Sequence, residues 1–260
     1  MFSNYAAFFS LILCSSSLCA QTELQLKTAS NHQMKYYLSL PDNWSSDKKW
    51  PVLVVCEAAE KEFKLNAERF IAARKKLPFI IVAPITVTNG NSGKKDPAIY
   101  PYSESTWKYI DLVGDCAFDM EGLQSVLTDV RKNYSAEEKY FITGFEAGAH
   151  LVWAVTFQHP EQLLAAIPVA GNYRSRCMES NDFSDDKSKS ALPIMAFSGS
   201  DDTSFGKNGK VYYQWEEAKK LALDHGYKNV SETIIQGKGH IPLPDEVMTF
   251  INSIYKVESN

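Results

Sequence analysis

The eleven residues Tyr140 to His150, Tyr-Phe-Ile-Thr-Gly-Phe-Glu-Ala-Gly-Ala-His, constrain this chain more than any other stretch. Tyr140 to Thr143 is an apolar, partly β-branched run that reads as a buried strand. The run stops at Gly144-Phe145-Glu146-Ala147-Gly148, and helix-compatible residues continue from Ala149 to Phe157. A strand that turns into a helix within so few residues needs glycines where the two elements nearly touch. The residue between them, Glu146, is then carried on a tight turn at the end of a strand.

The rest of the chain alternates in the same way. Thr22 to Thr28 and Gln33 to Leu40 form an expected antiparallel hairpin at a sheet edge. Pro51 to Cys56 and Phe79 to Pro84 are continuous apolar runs, as in strands covered on both faces, with an amphipathic helix over Glu60 to Lys76 between them. Ile85 to Asp115 reads as a long irregular segment, aromatic-rich, of a length that usually marks a functional role or ordering by its neighbours. A helix over Phe118 to Tyr134 leads into the strand before Gly144. Strands at Leu164 to Ala170, Pro193 to Ser198 and Ser231 to Gln236 follow, with helices over Val211 to His225 and Asp245 to Tyr255. Such alternation predicts an α/β fold with a doubly wound, mostly parallel sheet flanked by helices, whose ligands sit at the carboxyl ends of the strands.

With 45% hydrophobic and 22% charged residues, 260 residues suffice for one sizeable core, so residues 21–260 are expected to form a single domain. The net charge of −4 gives no argument for a nucleic-acid or anionic-membrane surface, leaving a small-molecule or polymer substrate as the expected partner. Residues 1–20 carry no charged side chain, an apolar stretch from Ala6 to Cys14 and a small-residue-rich end at Cys14 to Ala20. That pattern predicts a cleaved signal peptide and a secreted or periplasmic protein. No other run is long and apolar enough to span a bilayer. Of the three remaining cysteines, Cys56 ends an apolar strand whereas Cys116 and Cys177 lie in polar segments, so the expected disulfide is Cys116–Cys177.

Three loops follow the carboxyl ends of strands and carry chemically useful residues. The first holds Glu146; the second, Phe197 to Thr203, holds Asp201 and Asp202; the third, Gln236 to Pro242, holds His240 between a glycine and an isoleucine. The chain order turn, acid, histidine matches that of enzymes built on a nucleophile elbow, Gly-x-Ser-x-Gly. On Thr143 to His150, Gly199-Ser-Asp-Asp202 and Gly239-His240, the chain resembles the α/β-hydrolases, in particular compact secreted esterases related to polyhydroxybutyrate depolymerases and feruloyl esterases. The likeness covers nearly all of the chain after residue 20. It implies an α/β-hydrolase fold without a cap domain, with Asp202 (or, less well matched, Asp201) as the triad acid, His240 as the base and no cofactor. It also implies that Glu146 stands where the family has serine.

A second departure falls at Cys56-Glu57-Ala58-Ala59, where the family carries a His-Gly-Gly type loop. The N–H of Ala58 or Ala59, together with that of Ala147, can still act as oxyanion donors, while Glu57 would oppose developing negative charge if it faced the site. Two readings result. In one, Glu146 with Asp202 and His240 hydrolyses an ester or related bond of an extracellular polymer or small ester, as a nucleophile or as a base whose proton affinity Glu57 raises. In the other, Glu146 and His240 form a remnant salt bridge and the protein binds a carbohydrate or small ligand without turnover. Around this centre, Asn172 and Arg174 (or Arg176) are expected to line the cleft. Tyr100, Tyr102 and Trp107 are either a stacking platform or packing for the long segment. His150 shares a helix face with Glu146, but two such residues make no metal site, and none is expected.

Overall fold

The computed structural model describes residues 24–178 and 182–255. The expected leader at 1–20 lies outside them, as do the first two residues of the expected hairpin. Among the described residues eight strands form one sheet: β1 (Gln25–Thr28), β2 (Lys35–Ser39), β3 (Trp50–Cys56), β4 (Ile80–Pro84), β5 (Ala136–Phe145), β6 (Leu163–Val169), β7 (Ile194–Gly199) and β8 (Val230–Ile235). Their order is β1-β2-β4-β3-β5-β6-β7-β8, with β3 to β8 parallel and β2 antiparallel to both β1 and β4. The edge hairpin and the doubly wound parallel sheet are therefore as expected.

Among the described residues six α-helices flank the sheet: α1 (Phe63–Arg74), α2 (Glu104–Val113), α3 (Asp115–Tyr134), α4 (Ala149–Gln158), α5 (Tyr213–Asp224) and α6 (Pro244–Ile254). The all-apolar strands divide their side chains between two cores. Along β3, Trp50, Val52, Val54 and Cys56 join a core covered by α2 to α5, whereas Leu53 and Val55 join Ala67 and Phe70 of α1 and Val247, Met248 and Ile251 of α6. Arg74, 2% exposed, ties α1 to the sheet by donating to the carbonyls of Ser39 and Phe79.

One expectation is corrected. The segment from Ile85 to Asp115 is not irregular throughout, because α2 occupies most of its second half. The Ser103 hydroxyl caps this helix by accepting from Thr106 N at 3.1 Å, and Trp107 and Ile110, one turn apart, anchor it in the core. The predicted disulfide is present: Cys116 in the first turn of α3 is bonded to Cys177 in the segment after β6. Between β6 and β7 the described residues contain a single short helical turn, Lys187–Ser190, and no cap.

Candidate functional site

Chain reversal in the sheet occurs between β3 and β5: α1 leads from β3 to β4 on one side, and β5 returns on the other. The carboxyl ends of β3 and β5 therefore diverge into loops on opposite sides of a crevice, the position where ligands bind in such sheets. Cys56 and Gly144, the last residues of the β3–β5 ladder, face each other across it.

Two glycines let the elbow close on the end of β3. A Cβ at Gly144 would lie 2.5 Å from Gly148 O, and one at Gly148 would lie 2.5 Å from Cys56 O and 2.7 Å from Glu57 O. The start of α4 thus rests against the end of β3 with no room for a methyl group. Between the glycines Glu146 is held at φ +47°, a left-handed conformation that costs a non-glycine residue on the order of 1–3 kcal/mol.

The Glu146 carboxylate is bound by three donors. Oε2 accepts from Ala147 N at 2.5 Å and from Ala59 N at 3.2 Å, while Oε1 accepts from Asn172 Nδ2 at 3.0 Å. Ala59, not Ala58, is the donor on the β3 side; the Ala58 carbonyl instead accepts from Asn89 Nδ2 and Lys61 N. Lys61 Nζ in turn donates to the carbonyls of Ala59 and Asn89. Burial pulls the Lys61 ammonium below its ordinary value against the opposing pull of Glu60, Glu146 and Glu57.

Glu57 does not face the site, which corrects its expected place beside the oxyanion donors. It is 4% exposed and folds back onto the start of α1, where Oε1 accepts from Glu62 N at 3.3 Å. Burial raises it to about 7, with the N–H groups of Glu62 and Ala58 acting in the opposite direction. Glu146 is the sole carboxylate among the residues lining the adjoining cavity.

On the other side of the turn, Asp202 Oδ2 lies 2.8 Å from His240 Nδ1, and Asp202 Oδ1 accepts from Ser204 N and Phe205 N. Burial would raise the Asp202 carboxyl, but those N–H groups and the His240 ring outweigh it and hold it below the usual range. An ionised Asp202 directs the Nδ1 proton of His240 toward itself and leaves Nε2 as the acceptor. Asp201 is exposed and bonds to Ser200 Oγ, so Asp202 is the partner of the histidine. The His240 ring lies between Phe205, stacked at 5.1 Å, and Phe145, at 4.6 Å, which seats it beside the elbow. Gly199 keeps the acid and histidine loops in contact, since a Cβ there would strike the backbone of Lys238 and Gly239. Glu146 and His240 form no ion pair with each other among the described residues, so the expected remnant salt bridge is not what holds Glu146.

Beside Glu146 opens a cavity of about 260 Å³, lined by Ala59, Asn89, Gly90, Glu146, Ala147, His150, Asn172, Arg174 and Arg176. Asn172, Arg174 and Arg176 are among those lining residues. His150 is 5% exposed, and burial, reinforced by Arg176 and Arg174, lowers it to about 4, so it is neutral near physiological pH. Tyr100, Tyr102 and Trp107 are not a surface platform: all three are buried and packed against one another. Tyr100 supports the cavity from behind, its OH donating to Asn89 Oδ1, while Tyr102 OH donates to the Ile85 carbonyl. Asp119, fully buried in α3, fixes the same loop by accepting from Val87 N, Thr88 N and Thr88 Oγ1. Sequence reasoning assigns nothing to Lys61, Asn89 or Phe205. The Asn89-Gly90 turn signal was available for one of them, whereas Lys61 and Phe205 owe their places to tertiary packing.

No protein-family model matches the sequence, and no curated protein matches it either. Solved structures do. The poly(3-hydroxybutyrate) depolymerase LpqC from Bordetella parapertussis is 15% identical, with a TM-score of 0.60 over 91% of this chain and 92% of that one. A feruloyl esterase module from Clostridium thermocellum is 16% identical, with a TM-score of 0.57 over 87% and 84% of the two chains. The poly(aspartic acid) hydrolase-1 from Sphingomonas sp. KT-1 is 14% identical, with a TM-score of 0.57 over 87% and 96%. At such identities the likeness is one of architecture, a mostly parallel eight-stranded sheet flanked by helices. The chain has the α/β-hydrolase fold.

Proposed function

We propose that this protein uses the α/β-hydrolase cleft to bind a small ligand, a carbohydrate or similar compound, without acyl transfer. One observation carries the reading: the Glu146 carboxylate accepts from Ala59 N and Ala147 N. In an acyl-transfer site two such N–H groups await the oxygen of a tetrahedral intermediate, and their value lies in being free when charge develops there. Here a fixed anion from the chain itself uses them. The three donors also hold the carboxylate at the elbow on both of its oxygens, so it faces the cleft as a fixed acceptor. The leader-like residues 1–20 and the Cys116–Cys177 disulfide support an exported protein.

A second reading, hydrolysis of an ester or related bond by a Glu146-Asp202-His240 site, draws support from the intact His240–Asp202 contact. The activities named for the structural neighbours point the same way. It requires Glu146 to leave its donors before every turnover. Short acyl esters assayed with wild type, Glu146→Ala and Glu146→Ser decide between the two. Wild type matching Glu146→Ala, with a gain in Glu146→Ser, is the expected result. Wild-type turnover lost in both variants would overturn the binding reading.

A further inference from the structure

The cavity beside Glu146 is unbalanced in charge and incomplete in hydrogen bonding. Two guanidinium groups, Arg174 and Arg176, and one carboxylate, Glu146, line it, while the lowered His150 adds no charge near neutrality. Arg176 Nη1 donates to the Thr88 carbonyl, which fixes its head group at the wall. Arg174 is exposed and makes no hydrogen bond or ion pair among the described residues. Two buried side chains of the lining each leave an atom unpartnered: His150 Nδ1 and Asn172 Oδ1, both in residues only 5% exposed. Buried polar atoms without a protein partner call for a polar neighbour, and these two belong to side chains that line the cavity. The orientation of Asn172 is fixed by its Nδ2 contact to Glu146, so the unpartnered atom is the acceptor oxygen.

From these groups we infer that the cavity is a binding site for a small hydroxycarboxylate, such as an acidic sugar, whose carboxylate meets Arg174 and Arg176 and whose hydroxyls donate to Asn172 Oδ1 and Glu146. Guanidinium forks pair with planar carboxylates through two parallel hydrogen bonds. They pair with sulfate and phosphate as well, but a ligand carrying two or more charges would meet the Glu146 carboxylate in the same space. The acceptors at Asn172 and Glu146 select for hydroxyl donors, which a simple inorganic anion lacks. A cavity of this size, just under the usual range for drug-sized ligands, suits a single small ring or short acid. Glu146 then has a positive role, as an acceptor kept in place by the backbone.

The inference rests on the reading that the cleft binds rather than hydrolyses, and calorimetry separates the two. D-glucuronate is titrated into the disulfide-bonded protein, with D-glucose, acetate and sulfate as comparisons. Glucuronate is expected to bind most tightly, acetate more weakly and glucose least. Arg174→Gln, at an exposed position, is expected to weaken glucuronate on the order of tenfold or more, as for loss of a charged hydrogen bond. No heat with glucuronate, equal affinity for sulfate, or an unaffected Arg174→Gln protein would overturn the inference. If wild type fails to turn over esters and glucuronate gives no heat, the hydroxycarboxylate site falls while the non-hydrolytic reading stands. If wild type hydrolyses esters, that reading falls, and the titration still reports on the site.

Discussion

Ala59 donates its backbone N–H to Glu146 Oε2 at 3.2 Å, across the seam between the third and fifth strands. Both donors on that oxygen come from main chain, so replacing the side chain removes the anion and leaves the donors in place.

Glu146→Ser should therefore open a latent acyl-transfer site. Freed donors of this kind are worth roughly a hundredfold or more in turnover. A comparable gain over wild type is expected in hydrolysis of p-nitrophenyl acetate. Adding His240→Ala to Glu146→Ser should return the rate to the wild-type level; a gain that survives the histidine change would mean that the Asp202–His240 pair takes no part.

Gly148→Ala places a methyl group 2.5 Å from Cys56 O, a contact that moves α4 off the end of β3. Overpacking of this order costs about 1–3 kcal/mol. Urea denaturation should show that loss, and the same change in a Glu146→Ser background should lower ester turnover by separating Ala59 N from the elbow. Unchanged stability would show that the close approach relaxes at no cost.

Glu57 provides a pH signature. Its folded-state value is raised from 4.5 to about 7, so the native protein holds a proton that the unfolded chain releases at lower pH. The associated stability is fully present below the unfolded value and is lost as pH rises through about 7, on the order of 3 kcal/mol in all. His150 works in the opposite direction: lowered to about 4, it favours folding increasingly as pH climbs through its folded value toward 6.5. The difference between Glu57→Gln and wild type isolates the first effect. Chemical denaturation between about pH 4 and pH 8 should show the variant gaining on wild type with rising pH. A constant difference would mean that Glu57 ionises normally.

The disulfide joins residues 61 apart in sequence, and closing a loop of that length in the unfolded chain is worth about 4 kcal/mol in the chain-entropy account. The Cys116→Ser, Cys177→Ser double variant should unfold at correspondingly lower urea concentration. Equal midpoints would show that the unfolded chain is already constrained.

Much of this architecture is legible before any coordinates. Continuous apolar runs such as Pro51 to Cys56 can be little else than strands covered on two faces, and alternation with amphipathic helices dictates parallel pairing. The glycines around Glu146 signal a close approach because no side chain fits there. Asp202 and His240 are legible through their loops and order. What the sequence conceals is direction. Nothing local tells that Glu57 turns toward Glu62 while Glu146 turns toward Ala59, because both follow an apolar strand and both are carboxylates. The donors that decide it are backbone groups brought together by the β3–β5 pairing. Helix α2 is hidden for a related reason: its short apolar stripe lies among aromatic residues whose burial is settled only by contact with α3.

Cys177 sits next to Arg176 and three residues from Arg174, and its partner, Cys116, sits in the first turn of a twenty-residue helix. The charged wall of the cavity is thus moored to the scaffold by one covalent strut, from a stretch that belongs to no strand or helix. That strut is not alone: Gln158 at the end of α4 donates to the Cys177 carbonyl and Arg176 to the Thr88 carbonyl, so the elbow helix and the loop after β4 share in setting the course of the arginine-bearing stretch.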